Sequence, residues 1–364
     1  MQITELPAEG HELLVVAREP EAGYLGVVAV HSTALGPAVG GTRFWYYASE
    51  EEAVADALRL ARGMTYKNAL AGLPFGGGKS VVVGDNRVAE REALFRAHGR
   101  VVESLGGRYV TAEDVGTSPA DMEHIRRETR YVAGLDGGAG DPSPLTARGV
   151  LRAMQAAARH RWGTDSLSGR RVALQGCGHV GLHLARELAA AGARLVVADT
   201  DEGRASRVAA EVGAERVAPG EIFDVEADVF APCALGGVIN DETIPWLRVG
   251  VVAGAANNQL LEARHGEALE QRGITYAPDY AANAGGVIYG TGLDMLGWTR
   301  DEALRRVEEI YETLLGILRD AAAEGLPAHV AADRAAEERL REAERLREAE
   351  RRRTARDPAR GPRP

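Results

Sequence analysis

The sequence predicts a two-domain α/β protein with a doubly wound parallel sheet in its second half. Three observations carry that prediction. The chain has 364 residues, 45% hydrophobic and 26% charged, which is enough for two ordinary cores of roughly 150 residues each. Between Arg171 and Pro278, β-rich runs alternate with helical patterns, and that alternation implies parallel strands with helices on both faces. Within it a glycine-rich turn, Gly176-Cys177-Gly178-His179-Val180-Gly181, joins a strand to a helix.

The elements follow in order. Glu12–Arg18 and Leu25–His31 are β-rich runs joined by a segment holding Pro and Gly, and they read as a hairpin. Gly36–Arg43 (GPAVGGTR) reads as a glycine-rich turn. Ser49 with Glu52 forms a capping-box pattern that opens a helix from Glu50 to Met64, with Ala53, Ala57, Leu58 and Ala61 on one face. Lys79–Val83 is a short strand after a glycine run, Arg91–Leu105 a helix stopped by Gly106-Gly107, and Arg108–Thr111 a strand. Gly137–Pro144 (GGAGDPSP) reads as a hinge. Thr146–Arg161 is helical, and strands are expected at Arg171–Gln175, Arg194–Asp199, Asp228–Ala231, Val249–Gly254 and Ile274–Pro278. Asp301–Glu324 reads as a final amphipathic helix stopped by Gly325. The first domain is placed at residues 1–140, the second at 141–325, and a C-terminal segment at 326–364. That segment repeats RLREAE and shows almost no apolar face, so a solvated helix running into a disordered end is expected.

The net charge is −10, and Ala331–Pro364 alone holds 11 Arg against 8 acids. The body is therefore strongly acidic, which argues against nucleic acid as a partner. Two cysteines make no disulfide framework, no apolar run reaches membrane length, and no signal peptide is expected. A cytoplasmic protein without membrane contact is expected.

Of the 43 basic residues only two are lysines, Lys67 and Lys79, twelve positions apart in MTYKNALAGLPFGGGKS. The others are arginine, which cannot give up its proton and is no compact point charge. Two surviving lysines in the most glycine-dense part of the chain mark a candidate active site. One buried ammonium could assist proton transfer near neutral pH, and the other could hold a carboxylate. Asp114, just after a strand and before Val-Gly-Thr-Ser, reads by itself as a cap or turn residue. Gly76-Gly77-Gly78-Lys79-Ser80 is no Walker A loop, because the required glycine at position 73 is Leu. Cys177, His179 and His183 lack a further ligand at useful spacing, so no metal is expected.

The turn Gly176-x-Gly178-x-x-Gly181 lies between a strand and a helix, and the next strand ends in Asp199. That context is a dinucleotide fingerprint, with glycines for close approach of the pyrophosphate and an acid for the ribose 2′-hydroxyl. The acid would repel a 2′-phosphate, so NAD is expected over NADP.

These motifs, with GPAVGGTRF (36–44), GMTYKNALAGL (63–73), YVTAEDVGTS (109–118), GGAGDPSPLT (137–146), APCALGGVIN (231–240), GAANNQ (254–259) and YAPDYAANAGGVI (276–288), resemble the glutamate/leucine/phenylalanine/valine dehydrogenases from Gly10 to Asp333. The valine dehydrogenases of actinobacterial type are the nearest likeness, with the phenylalanine and leucine dehydrogenases next. The resemblance implies an N-terminal substrate domain, a Rossmann-type NAD-binding domain, a cleft between them and a homo-oligomer. It implies that Lys79 and Asp114 are catalytic, reversing the reading of Asp114 as a turn residue. It places the substrate α-carboxylate on Lys67, with Gly40 and Gly41 lining the site. It puts Thr146, Asn257, Asn258 and Asn283 beside the cofactor. The glutamate members carry a lysine where this chain has Val39, so an apolar amino acid is expected, converted to its 2-oxo acid and ammonia. Gly290 falls where the family meets the substrate side chain. Its surroundings, YGTGLDMLGW, are closer to the phenylalanine members. Valine, leucine or isoleucine is the expected substrate, with phenylalanine or a larger biosynthetic amino acid as the alternative. A non-catalytic NAD-sensing protein is the more remote reading.

Overall fold

The structure, a computed structural model, describes residues 1–135 and 138–356. Gly137 of the expected hinge and the tail from Asp357 on lie outside the described residues. The chain forms two compact units, one of Met1–Gly138 together with the chain from Ala335 on, the other of Ala139–Arg334.

In the first unit β1 (Gln2–Leu6), β2 (Leu13–Glu19), β3 (Tyr24–Ser32), β4 (Ala38–Trp45), β5 (Gly76–Val83) and β6 (Tyr109–Glu113) make one sheet, ordered β1-β2-β3-β5-β4-β6. The hairpin β2–β3 forms as read from its two β-rich runs, with Gly23 left-handed in the connection. β1 adds an antiparallel edge strand that composition did not announce. β4 runs parallel to β5 and β6.

The uninterrupted apolar run of β2 is explained by burial on both faces. Leu14 and Val16 pack with Val27, Ala29 and Val81 beneath Ala53, Ala57 and Ala61 of α1 (Glu50–Leu70). Leu13, Val15 and Ala17 face the other way, toward Phe95, Val101 and Val102 of α2 (Glu92–Ser104) and Met122 and Ile125 of α3 (Pro119–Arg126). Each large side chain removed from water here contributes about 1.5–3 kcal/mol.

Two expectations are corrected in this unit. Gly36–Arg43 is not a turn, for most of it belongs to strand β4. The first long helix runs six residues past Met64, to Leu70. Its start is as expected, with the Ser49 side chain accepting from the Glu52 amide.

The second unit opens with α4 (Ser143–Trp162) and continues β7 (Arg171–Gln175), α5 (His179–Ala190), β8 (Arg194–Ala198), α6 (Glu202–Val212), β9 (Glu215–Arg216), β10 (Val229–Pro232), β11 (Val251–Val252), α7 (Arg264–Gln271) and β12 (Thr275–Tyr276). All pairings are parallel and the order is β9-β8-β7-β10-β11-β12. The order reverses at β7, which makes this the doubly wound dinucleotide-binding topology with its switch point beside the glycine turn. Then follow α8 (Asp279–Ala282), α9 (Gly285–Leu296), α10 (Arg300–Glu308) and α11 (Ile310–Glu324). The single helix expected over Asp301–Glu324 is thus two, divided at Glu309, and Gly325 ends the second in the left-handed region.

The C-terminal segment also departs from expectation. α12 (Ala328–Arg356) is docked along part of its length, with Ala332 and Ala336 fully buried and Leu340 nearly so. This stripe of small residues at a spacing of four is what the charged composition concealed. Arg339 Nη1 donates to the carbonyls of Ala69 and Leu70 at 2.5 and 2.7 Å, at the C-terminal end of α1, where the Ala69 carbonyl also accepts from the Gly72 amide. Among the described residues no helix is long and apolar enough to cross a membrane.

Candidate functional site

Lys79 sits within β5 opposite Ala29, on the face that Val81 turns toward α1. It is 4% exposed. Its Nζ lies 2.7 Å from Oδ2 of Asp114, the residue that follows β6. Asp114 does begin a turn, since its amide donates to Thr117 Oγ1 and its carbonyl accepts from the Thr117 amide. Thr117 Oγ1 in turn donates to the Thr42 carbonyl of β4. The turn thereby fixes Asp114 beside the parallel strands, and the carboxylate meets Lys79.

A second cation reaches the same oxygen. Arg43 Nε donates to Asp114 Oδ2 at 3.2 Å, while its Nη1 donates to Asp56 Oδ2 at 2.9 Å. Asp56, on α1, also accepts from the Tyr47 hydroxyl at 2.7 Å and from Arg59 at 2.8 Å. Burial lowers the Lys79 pKa below the ordinary lysine value, with Asp114 opposing and Arg43 adding to the fall. Burial pushes the Asp114 carboxyl upward, but Lys79 and Arg43 together outweigh it and leave that pKa lowered. An amine so placed gives up its proton closer to neutral pH than a free lysine, beside a carboxylate that stays ionised.

Lys67 occupies the last turn of α1, half-buried, within the extension that the sequence reading ended too early. Its neighbours pin that turn. Asn68 Nδ2 donates to the Gly76 carbonyl at 2.6 Å, and the Tyr66 hydroxyl donates to Glu337 of α12 at 3.0 Å. Helix and strand approach so closely that a Cβ on Gly77 would stand 2.0 Å from the Thr65 amide nitrogen, and one on Gly40 would stand 1.8 Å from the Gly78 carbonyl oxygen. These glycines serve close approach, not a turn. Gly41 lies against Asp114 in the same way, where a Cβ would be 2.7 Å from the Asp114 Cβ. Val39 is buried and in register with Gly77 and Val110.

Beneath β4 and β5, on the α2 face, lies a buried polar network. Thr42 Oγ1 is 2.7 Å from Ser80 Oγ and 3.0 Å from His98 Nε2, and His98 Nδ1 is 2.8 Å from the Tyr24 hydroxyl. The Tyr109 hydroxyl donates to the Gly40 carbonyl at 2.6 Å. Burial depresses the His98 pKa to about 3.

In the second unit Gly176 has φ of 98°, and Gly178 is the N-cap of α5 with no side chain capping the helix. A Cβ on Gly181 would lie 1.9 Å from the Gly176 carbonyl oxygen, so only glycine closes this turn. Asp199 follows β8 and accepts from the Cys177 amide at 2.6 Å and the Asp201 amide at 2.8 Å. Cys177 itself is buried, and burial pushes its thiol up to about 11. Asn283 Nδ2 donates to Asn257 Oδ1 at 2.8 Å and to the Ala255 carbonyl, leaving its own buried Oδ1 without a partner. Asn258, left-handed at φ 51°, donates its amide to Asp279. Thr146 lies in the first turn of α4, its hydroxyl donating to the Pro142 carbonyl. Gly290, in α9, has nothing within 4 Å of where a Cβ would be. An uncapped helix N-terminus behind a glycine turn, an acid at the end of the next strand and an orphaned buried amide oxygen together fit a dinucleotide.

Sequence reasoning missed Arg43 and Asp56. A signal existed for each: Arg43 interrupts an otherwise small and apolar run, and Asp56 directly precedes buried Ala57, past the first turn where the other acids of the helix gather.

A doubly wound sheet of this order is a dinucleotide-binding architecture, and the companion unit carries a buried ammonium–carboxylate pair. Comparison with known proteins narrows the class. Residues 16–131 match the model described as "Glu/Leu/Phe/Val dehydrogenase, dimerisation domain", and residues 137–207 and 197–348 match "Glutamate/Leucine/Phenylalanine/Valine dehydrogenase". The chain is 54% identical to a leucine dehydrogenase of Thermoactinomyces intermedius, over 91% of each protein. It is 49% identical to a valine dehydrogenase of Streptomyces coelicolor, over 92% of this chain and 93% of that one. Among solved structures, the L-tryptophan dehydrogenase from Nostoc punctiforme matches with a TM-score of 0.80 at 43% identity, covering 92% of this chain and 97% of that one. The chain belongs to the glutamate/leucine/phenylalanine/valine dehydrogenase family and is an amino-acid dehydrogenase. The resemblance read from the motifs holds, and within it the leucine dehydrogenase stands a few points above the valine dehydrogenase.

Proposed function

We propose that this enzyme carries out the reversible oxidative deamination of apolar L-amino acids of the valine, leucine and isoleucine type, with NAD as its dinucleotide. The single observation that carries the chemistry is the 2.7 Å contact between buried Lys79 and Asp114. Lys67 holds the α-carboxylate as a charged ammonium. NAD, held by Gly176, Gly178, Gly181 and Asp199 with Thr146, Asn257, Asn258 and Asn283 toward the nicotinamide end, supplies the acceptor for the α-hydrogen. Once the α-carbon is at the imine level, neutral Lys79 accepts a proton from the water that adds there. Asp114 passes protons to the departing nitrogen, so ammonia leaves as the 2-oxo acid forms. Gly40 and Gly41 let the backbone of β4 approach the substrate.

Val39 offers no cation to a side-chain carboxylate, and burying one unpaired would be costly. That speaks for an apolar substrate. Asp199 speaks for NAD, because its charge opposes a 2′-phosphate. The match to a dimerisation domain supports a homo-oligomer, and the free cysteines Cys177 and Cys233 suit the cytoplasm. The test is NADH formation across a panel of L-amino acids, with NADP as control. Branched chains should exceed glutamate by about 10³-fold or more in kcat/KM. Comparable rates on glutamate, or a preference for NADP, would refute the reading.

One observation favours a larger substrate as a second reading, namely the open space at Gly290, together with the 43% identity to a tryptophan dehydrogenase. Gly290→Val should fold normally and move preference toward smaller side chains. An unchanged ranking would remove Gly290 from the pocket.

A further inference from the structure

We propose that Arg43 and Asp56 are positioning residues of the reaction: Arg43, braced by Asp56, fixes the Asp114 carboxylate against Lys79 and sets the electrostatic balance of that pair. The inference rests on the reading of Lys79 and Asp114 as the proton-handling groups.

The geometry is a chain of alternating charge. Arg43 uses one edge of its guanidinium on each acid, Nε on Asp114 and Nη1 on Asp56, and its side chain is 19% exposed. A planar fork that meets two carboxylates at once holds both in register, which a lysine could not do. Lys79 and Arg43 meet the same oxygen of Asp114, Oδ2.

Asp56 is 13% exposed and on a helix, a place where an acid needs a reason. Three donors hold it: Arg43, Arg59 and the Tyr47 hydroxyl. A buried ionic cluster of this kind gives no stability advantage over an apolar cluster of the same volume. Its use is electrostatic. Without Asp56, two cations would face the single carboxylate of Asp114. With it, the two inner cations, Lys79 and Arg43, are matched by two carboxylates, while Arg59 stands at the solvent edge, 57% exposed. Arg43 pulls the Lys79 pKa down and Asp56 pushes it up. The charged and titratable groups around the pair are Arg43 from β4, Asp56 from α1 with Arg59 and Tyr47 behind it, and Tyr109 from β6, which lies within reach of the Asp114 charge.

The test uses the unusual lysine content. With only Lys67 and Lys79 in the chain, the enzyme labelled biosynthetically with 13Cε-lysine shows two lysine signals, and Lys67→Arg assigns them. Asp56→Asn should move the Lys79 titration to lower pH, and Arg43→Gln should move it to higher pH, each by about half a unit to one unit. The acid limb of kcat/KM, where Lys79 takes up its proton, should shift in the same directions. Arg43→Lys should restore the position of that limb but only part of kcat, because it keeps the charge and loses the two-point hold. If Arg43→Gln fails to fold, Asp56→Asn carries the test alone. A Lys79 titration unmoved by these variants overturns the proposal. A titration that moves while the acid limb stays fixed shows instead that Lys79 is not the catalytic amine, and overturns the reading on which the proposal rests.

Discussion

His98 should make the first unit sensitive to acid by a calculable amount. The ring is fully buried in α2 and surrounded by hydroxyls: Tyr24 at Nδ1, and Thr42 and Ser80 at 3.0 and 3.1 Å from Nε2. A neutral imidazole with one donor and one acceptor satisfies these partners, whereas an imidazolium would be a buried cation with no carboxylate bonded to it. Burial takes the pKa from 6.5 to about 3. In the unfolded chain the ring protonates near 6.5, so between 6.5 and 3 the unfolded state binds the extra proton. Stability is therefore full above 6.5 and falls with pH by ~1.4 kcal/mol per unit, to a total of about 5 kcal/mol near pH 3.

The measurement is urea unfolding of wild type and His98→Gln at several pH values between 7.5 and 4. Glutamine keeps a donor and an acceptor but does not titrate. At pH 7 the variant should be weaker by about 1–3 kcal/mol, since it cannot reach all three hydroxyls. Toward acid the wild type should lose stability faster, and the two curves should converge and then cross before about pH 4. The other groups that titrate are common to both proteins and cancel in the difference. Parallel curves would refute the argument, for they would mean that the folded network takes up the proton without cost, with the Tyr24 or Ser80 hydroxyl turning to accept.

Lys79→Arg should fold and bind NAD, yet lose about 10²–10⁴ in kcat because the charge remains but the proton cannot be shared; near wild-type turnover would leave Lys79 a purely electrostatic role. Arg339→Ala removes two charge-assisted hydrogen bonds to the end of α1 and should cost about 2–4 kcal/mol in chemical denaturation, with KM for the amino acid rising through the loosened Lys67 turn. An unchanged midpoint and KM would return α12 to the status of a solvated tail. Gly77→Ala forces a methyl to 2.0 Å from the Thr65 amide nitrogen, so α1 must lift from β5. A loss of at least about 1–3 kcal/mol is expected, and a variant of wild-type stability would show that the two elements separate freely.

Much of this was readable in the sequence where residue type and position say the same thing. The β2–β3 hairpin announces itself because both strands are buried on both sides, and the second unit because its glycine turn sits between a strand and a helix. Glycine misled elsewhere. GPAVGGTR looks like a turn, but Gly40 and Gly41 lack side chains so that strands and helix can touch, and neither has positive φ. Composition cannot tell a glycine that bends the chain from one that lets another backbone approach. The C-terminal helix hid for the opposite reason. Its docking face is built largely from alanine, too weakly apolar to stand out among arginines and glutamates, and part of its hold is a single guanidinium on two carbonyls. The site was split in the same way. A chain that uses arginine at 41 of 43 basic positions makes its two lysines conspicuous. That same habit conceals Arg43. One arginine among 41 carries no compositional mark, even when its guanidinium bonds the carboxylate that Lys79 depends on, and only the fold, by setting β4 beside β5 and α1 above both, distinguishes it from the rest.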